Sequence, residues 1–284
     1  MHPAHSPRPP QEILPTMYDL PSEDPEEPGL PDEFHAFQPQ LLRETFQPVS
    51  YPLDQVFIGT DINLYYESRH PLWHKRPDWF VCLGVAAAAR QEELRWSYVI
   101  WQEGVAPFLV LELLSPGTEA EDLGQTLREI SQPPTKWEVY ERILRIPYYV
   151  IFDRYTNQLR AFSLLPTRYQ EIDLPDQRLW FEEIELGLGI WQGRYQGAEG
   201  HWLRWYDAAG HWIATPSERA EQAQQQAEQA QQQAEQAQQQ AEQAQQQVEQ
   251  AQQQAEQAQQ QAEQERQRAE RLAEQLRALG IDPS

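Results

Sequence analysis

From Ala220 onward the sequence Ala-Glu-Gln-Ala-Gln-Gln-Gln returns every seven residues, with Val248 replacing one Ala, and this repeat leaves little choice of structure. Ala, Gln and Glu are good helix formers. A strict seven-residue spacing of apolar side chains winds helices around one another. Ala220, Ala227 and Ala234 open position a, and Ala223, Ala230 and Ala237 open position d. Leu272, Leu276 and Leu279 carry the same register to the end. Each Ala buries little area, so the seam is either weak or close-packed. Glu stands at position b, off the seam. A continuous helix here spans about 90 Å at the usual rise, and Pro216-Ser217-Glu218 suits its start. The expectation is a coiled coil over 214–284 that self-associates through 217–279; a solvated single helix is the alternative. Any globular core must come from the first 213 residues.

Those residues hold all ten Trp of the chain, enough for a real core. The first 45 are rich in Pro and acid, as in Pro21-Ser22-Glu23-Asp24-Pro25-Glu26-Glu27-Pro28, and read as a disordered lead-in; a short helix near Leu41–Phe46 is the exception allowed. A single Cys, Cys82, excludes an intrachain disulfide and fits a reducing cytoplasm. Cys82 itself reads as a small core residue. There is no apolar run of membrane-spanning length, so a soluble, cytoplasmic protein is expected. The net charge of −22 argues against strong nonspecific nucleic-acid binding, which needs Lys and Arg to neutralise phosphates. It leaves room for a small basic groove or a metal bridging to phosphate. Only two Lys occur, Lys75 and Lys136.

Within 46–213 the pattern is β-like, then β-α-β, then β. Asp61–Tyr66, Trp79–Gly84, Ser97–Trp101 and Phe108–Leu114 read as strands, the later ones forming an antiparallel meander. Thr135 with Glu138 has capping-box spacing, and the helix it starts runs from Lys136 to about Leu144. Val139, Tyr140, Ile143 and Leu144 form its apolar face, and Lys136 lies on that same face. Pro147 ends the helix before the strand Tyr148–Asp153, implying a parallel crossover from the Phe108–Leu114 strand. Gln158–Leu164 follows as a hairpin partner. Trp202–Asp207 and His211–Ile213 read as a final hairpin whose Trp residues pack.

One residue breaks this scheme. Glu112 sits in Phe108-Leu109-Val110-Leu111-Glu112-Leu113-Leu114, a run apolar on both faces. A carboxylate there must be paired, protonated or metal-bound. A structural carboxylate and a functional one are both consistent with the run alone. Asp78 at the head of an earlier strand, Glu112, and Lys136 facing the sheet together have the makings of a phosphodiesterase site. Two carboxylates on neighbouring strands can hold Mg²⁺, and a Lys can orient water or stabilise charge developing on a phosphate. Asp61 is a candidate further acid. Tyr140 either bonds Glu112 or a phosphate, or packs. Ser115 has no evident His partner and reads as a turn residue.

Pro77-Asp78, Val110-Leu111-Glu112-Leu113-Leu114-Ser115-Pro116-Gly117-Thr118, Lys136-Trp137-Glu138-Val139-Tyr140 and Ile146-Pro147-Tyr148-Tyr149-Val150-Ile151-Phe152-Asp153 resemble the Uma-two family, placed in the PD-(D/E)XK nuclease superfamily. The resemblance covers roughly residues 50 to 213. It implies an α/β fold with a restriction-endonuclease-like mixed β-sheet core and flanking helices. It also implies metal-dependent cleavage of DNA, with Asp78 and Glu112 as ligands of Mg²⁺ or Mn²⁺ and Lys136 as the catalytic Lys. Leu114 stands where the wider superfamily has its Lys, so that role passes to the helix. The competing reading is a catalytically inactive nuclease-fold protein that interacts with partners and oligomerises through its coiled coil. RNA or nucleotide hydrolysis at the same site is a third.

Overall fold

The computed structural model describes residues 32–115, 119–125 and 132–278. The lead-in up to residue 31, the Pro116-Gly117-Thr118 turn and Leu279 lie outside the described residues. The chain divides into two units between Pro216 and Ser217.

The first unit begins with a departure from expectation. Residues 33–45 are not part of a disordered lead-in but form helix α1 (Glu33–Thr45). Asp32 caps it, its Oδ1 accepting from the His35 N–H at 3.0 Å. Leu41 and Leu42 are fully buried. Buried Gln38 donates from Nε2 to the Leu203 carbonyl and accepts from the Leu203 N–H, both at 2.8 Å. That amide stands in for a strand neighbour, so a helix broken in sequence by Pro39 is held by tertiary contacts rather than by propensity.

The main sheet has six strands in the order β1-β4-β6-β7-β8-β9. They are β1 (Val56–Gly59), β4 (Trp79–Leu83), β6 (Leu109–Leu113), β7 (Tyr148–Asp153), β8 (Gln158–Leu164) and β9 (Tyr169–Glu171). Only β6 and β7 are parallel; all other neighbours run antiparallel. A second sheet is the antiparallel meander β10 (Arg178–Phe181), β11 (Leu186–Tyr195) and β12 (Ala198–Tyr206). A small third sheet joins β2 (Leu64–Tyr65), β3 (His74–Lys75) and β5 (Tyr98–Val99). The Ser97–Trp101 strand is thus shorter than expected and outside the main sheet: after β5 the chain turns into helix α2 (Ile100–Glu103). The final hairpin is reduced to one bridge, Tyr206 to Trp212, because β12 pairs with β11 instead.

β6 is buried along its whole length, and its alternation splits the core. Leu109, Leu111 and Leu113 face one apolar layer with Trp79, Val150, Phe152, Leu203 and Trp205. Val110 faces another, with Phe80, Tyr149, Ile151, Val139 and Tyr140. Glu112 shares the Val110 side, so the second layer receives its carboxylate.

The second unit is helix α5 (Pro216–Ala278), 63 residues with no residue buried within the single chain. Gln224, Gln231 and Gln238 donate to Glu228, Glu235 and Glu242 one turn on, at 2.9, 3.1 and 3.2 Å. These contacts run along the outside of the helix and leave the a and d positions bare. No described helix is long and apolar enough to cross a membrane.

Candidate active site

Antiparallel register builds the carboxylate pair. Trp79 lies opposite Leu111 and Phe80 opposite Val110. One step further, Asp78 falls opposite Glu112, on the same side of the sheet. Asp78 Oδ2 accepts from the Leu113 N–H at 2.6 Å, and the Asp78 N–H points to Glu112 Oε2 at 3.4 Å. Pro77 just before the strand leaves Asp78 at its open end.

The crossover helix supplies the counter-charge. Helix α4 (Lys136–Glu138) starts at the expected capping box: Glu138 N–H donates to Thr135 Oγ1 at 3.2 Å, and Thr135 N–H to Glu138 Oε2 at 3.1 Å. It continues as a π-turn over Val139–Ile143, a local widening common at functional sites. Lys136 and Tyr140, four residues apart, both reach Glu112. Lys136 Nζ is 3.1 Å from Oε2, and Tyr140 OH donates to Oε1 at 2.9 Å. Tyr140 therefore bonds the carboxylate as well as packing. Glu112 is fully buried and each of its oxygens is engaged.

A third carboxylate completes the cluster, and the sequence had not singled it out. Asp122, in the short helix α3 (Glu119–Asp122), is buried with Oδ1 2.8 Å from Lys136 Nζ. The Tyr149 hydroxyl pins its backbone carbonyl at 3.0 Å, and Gly124 lies flat against Trp137 with no room for a Cβ. Next to it, Glu121 pairs with Lys75 at 3.1 Å. Both lysines of the chain thus bind consecutive acids of one helix. No cue in the polar stretch after β6 marks Asp122, because its role depends on where the loop closes in space.

Burial raises the Glu112 carboxyl well above its ordinary range, against the pull of Lys136; Asp78 and Asp122 push the same way as burial. Burial likewise raises Asp78. Burial alone would lower Lys136, but Glu112, Asp122 and Asp78 outweigh it and hold the ammonium firmly protonated. Among the described residues, three carboxylates around one ammonium leave a surplus of negative charge in a poorly solvated place. Asp61 does not join them. It is held by Arg76, whose Nη2 donates to Oδ2 at 2.8 Å.

Ser115 departs from expectation too, because it has a His partner. His35 Nε2 lies 3.1 Å from Ser115 Oγ and 3.3 Å from the Leu113 carbonyl, while Nδ1 faces Asp32 Oδ1 at 2.8 Å. Arg154 pairs with the other oxygen of Asp32. The partner stands 80 residues earlier, on a helix that the composition of the N-terminal stretch conceals. Its one local signal is Asp32 three residues before His35, an N-cap spacing.

Residues 13–192 match the model of the Uma-two family, described as "Putative restriction endonuclease". The chain belongs to this family. Its first unit is accordingly an α/β, restriction-endonuclease-like domain built on a mixed sheet. Residues 214–277 match a second model, described as "Alanine-zipper, major outer membrane lipoprotein", so α5 is similar to a coiled-coil helix with an Ala seam. No curated protein matches the chain. The Uma-two match starts upstream of α1, and helix α1 packs into the domain.

Proposed function

We propose that this Uma-two protein is a metal-dependent endonuclease that hydrolyses DNA phosphodiester bonds at Asp78, Glu112 and Lys136. The observation that carries the reading is the fully buried Glu112, paired with Lys136 and directly across the strands from Asp78.

A divalent cation fits this donor set. Carboxylate oxygens suit Mg²⁺ or Mn²⁺, and Mg²⁺ typically takes one or two carboxylates while keeping waters and substrate phosphate as other ligands. Among the described residues no three His, Cys, Asp or Glu side chains form a ready-made cage, so Asp78 and Glu112 are the ligands assigned. The raised carboxyls and surplus negative charge favour a cation. When bound, it would neutralise charge on the phosphate and activate water. Lys136, held protonated, would grip the scissile phosphate's non-bridging oxygen and stabilise charge developing there. Tyr140 fixes Glu112, and Asp122 fixes Lys136. Replacing Glu112 by Ala should abolish Mg²⁺- or Mn²⁺-dependent cleavage of a DNA oligonucleotide; undiminished cleavage refutes the assignment. RNA run beside DNA decides between the nucleic acids.

The charge of −22 and the coiled-coil helix favour a second reading, an inactive nuclease-fold domain displayed on an oligomer. Titration calorimetry separates the two, since that reading expects no Mg²⁺ or Mn²⁺ binding. Under both readings the α5 seam joins copies of the chain. Light scattering should give an oligomer for the full chain and a monomer after truncation at Pro216; equal masses per chain would refute self-association.

A further inference from the structure

The chain has twice as many acids as Lys and Arg, so a polyanion approaches it best where positive charge is gathered. One such place leads straight into the candidate site. From Ser68 to Pro77 there is no acid, and Arg69, His70, His74, Lys75 and Arg76 fall within that stretch.

The stretch is most of a hairpin. β2 and β3 pair Leu64 with Lys75 and Tyr65 with His74. Between them the chain makes two turns, the His70 N–H donating to the Glu67 carbonyl at 3.1 Å and the Trp73 N–H to the His70 carbonyl at 2.8 Å. Glu67, the acid just before the stretch, accepts the Arg69 N–H on Oε1 at 2.9 Å. Lys75 and Arg76 are held by Glu121 and Asp61, and they anchor the base of the hairpin. The Arg69 side chain is exposed, and among the described residues no acid pairs with it. In the same loop the His70 and Trp73 rings stack 3.9 Å apart at 12°, and Leu72 stands 82% exposed. The tip thus offers an apolar side chain and an unpaired guanidinium on a loop stiffened by a ring stack.

The hairpin is fastened to the site twice. Lys75 precedes Asp78 by three residues and Leu72 precedes it by six, which bounds the Cα separations at about 11 Å and about 21 Å. Lys75 Nζ also lies 3.1 Å from Glu121, next in sequence to the Asp122 that holds Lys136. Each strand of B-DNA advances about 3.4 Å per phosphate along the axis. A tip within that reach faces the duplex no more than about six base pairs from a phosphate at Asp78.

We propose that the β2–β3 hairpin is a DNA-holding arm of the endonuclease site, with Arg69 on a backbone phosphate and Leu72 against the adjoining groove. The proposal rests on the endonuclease reading for its ligand. A guanidinium presents paired N–H groups to phosphate oxygens, and an exposed Leu gains by leaving water against sugars and bases. The sign of the unpaired charge and the reach to Asp78 both select DNA over a protein surface.

Binding is measured apart from cleavage. The full chain, with Ca²⁺ in place of Mg²⁺ or Mn²⁺, is titrated into a fluorescein-labelled DNA duplex, and anisotropy is read at several salt concentrations. One phosphate contact contributes about 0.9 to the slope of log affinity against log salt, or roughly eightfold in affinity at about 0.1 M. Arg69→Ala should therefore weaken binding about eightfold at that salt and flatten the slope by about 1. Arg69→Lys keeps the charge and should restore the slope. Leu72→Ser removes no charge, so it should weaken binding at every salt concentration with the slope unchanged. Arg69→Ala with the wild-type affinity and slope overturns the proposal, as does a wild type that binds no DNA. A slope that falls as far in Arg69→Lys as in Arg69→Ala makes Arg69 structural and also overturns it. Leu72→Ser with the wild-type affinity overturns the groove contact, and a fall in molar mass beside it, by light scattering, assigns the tip to a second copy of the chain. Cleavage in Mn²⁺ is scored separately: a wild type that binds with the full slope difference but never cuts refutes the endonuclease reading and not the arm.

Discussion

Lys136→Met removes the ammonium that pairs with Glu112 and Asp122, and its cost can be worked from the geometry. Nζ lies 3.1 Å from Glu112 and 2.8 Å from Asp122. At an effective dielectric of about 20, each attraction is about 5 kcal/mol before desolvation. Desolvation of all three groups offsets much of this, and breaking a buried pair from one side costs about 3–5 kcal/mol net. The Lys136 side chain is 18% exposed, so the lower end, about 3 kcal/mol, applies. In a domain of this size that lowers Tm by roughly 6–12 °C. Trp fluorescence in urea is the right readout, because all ten Trp lie between Trp73 and Trp212 and α5 has none; far-UV dichroism would be swamped by α5. The decisive control adds Glu112→Gln and Asp122→Asn. With the stranded charges gone, the triple variant should recover at least about 2 kcal/mol of the loss. A Lys136→Met protein with the wild-type urea midpoint, or a triple variant no more stable than the single one, would refute the account of the cluster.

The raised Glu112 carboxyl makes stability depend on pH. Above about pH 4.5 the unfolded chain ionises this group before the folded one does, so its contribution to stability shrinks as pH rises. In EDTA, the wild type should lose ground to Glu112→Gln between pH 4.5 and 8. His35 also favours lower pH, being raised in the fold, but it is common to both proteins and cancels; parallel urea midpoints would contradict the Glu112 shift. Gln38→Ala strands a buried N–H and C=O of Leu203. It should cost about 2–4 kcal/mol by fluorescence-monitored urea unfolding, and a change below about 0.5 kcal/mol would rule out the clamp.

Local chemistry was readable from the sequence, and long-range chemistry was not. The β6 run, the Thr135 capping box and the Lys136 face follow from spacing, and each appears where the spacing puts it, except Ile143 of that face, which stands exposed at the end of the π-turn. The Asp78–Glu112 juxtaposition needed one further step, adjacency of β4 and β6, which a meander of successive strands does not give; it arises because β5, the strand between them in sequence, leaves the main sheet for the small third one. Helix α1 was hidden because Pro39 and acidic neighbours give it weak intrinsic preference, and its stability comes from Leu203 on β12. Asp122 reaches Lys136, and His35 reaches Ser115, through chain closure, so neither carries a periodic signal. Tyr98–Val99 was read too long because β propensity cannot see that a two-residue bridge suffices there.

The Gln38 clamp has a consequence for how the chain is born. Its two partners lie 165 residues downstream. At about 5–20 residues per second, the ribosome takes roughly 8–33 s to deliver them. Throughout that interval Leu41 and Leu42 of α1 lack the β12 surface they end up against, while the core strands β4, β6 and β7 are made one after another before it. Docking of α1 is therefore a late, entropically costly closure. Nascent chains stalled before residue 203 should carry an unseated, protease-sensitive N-terminal helix.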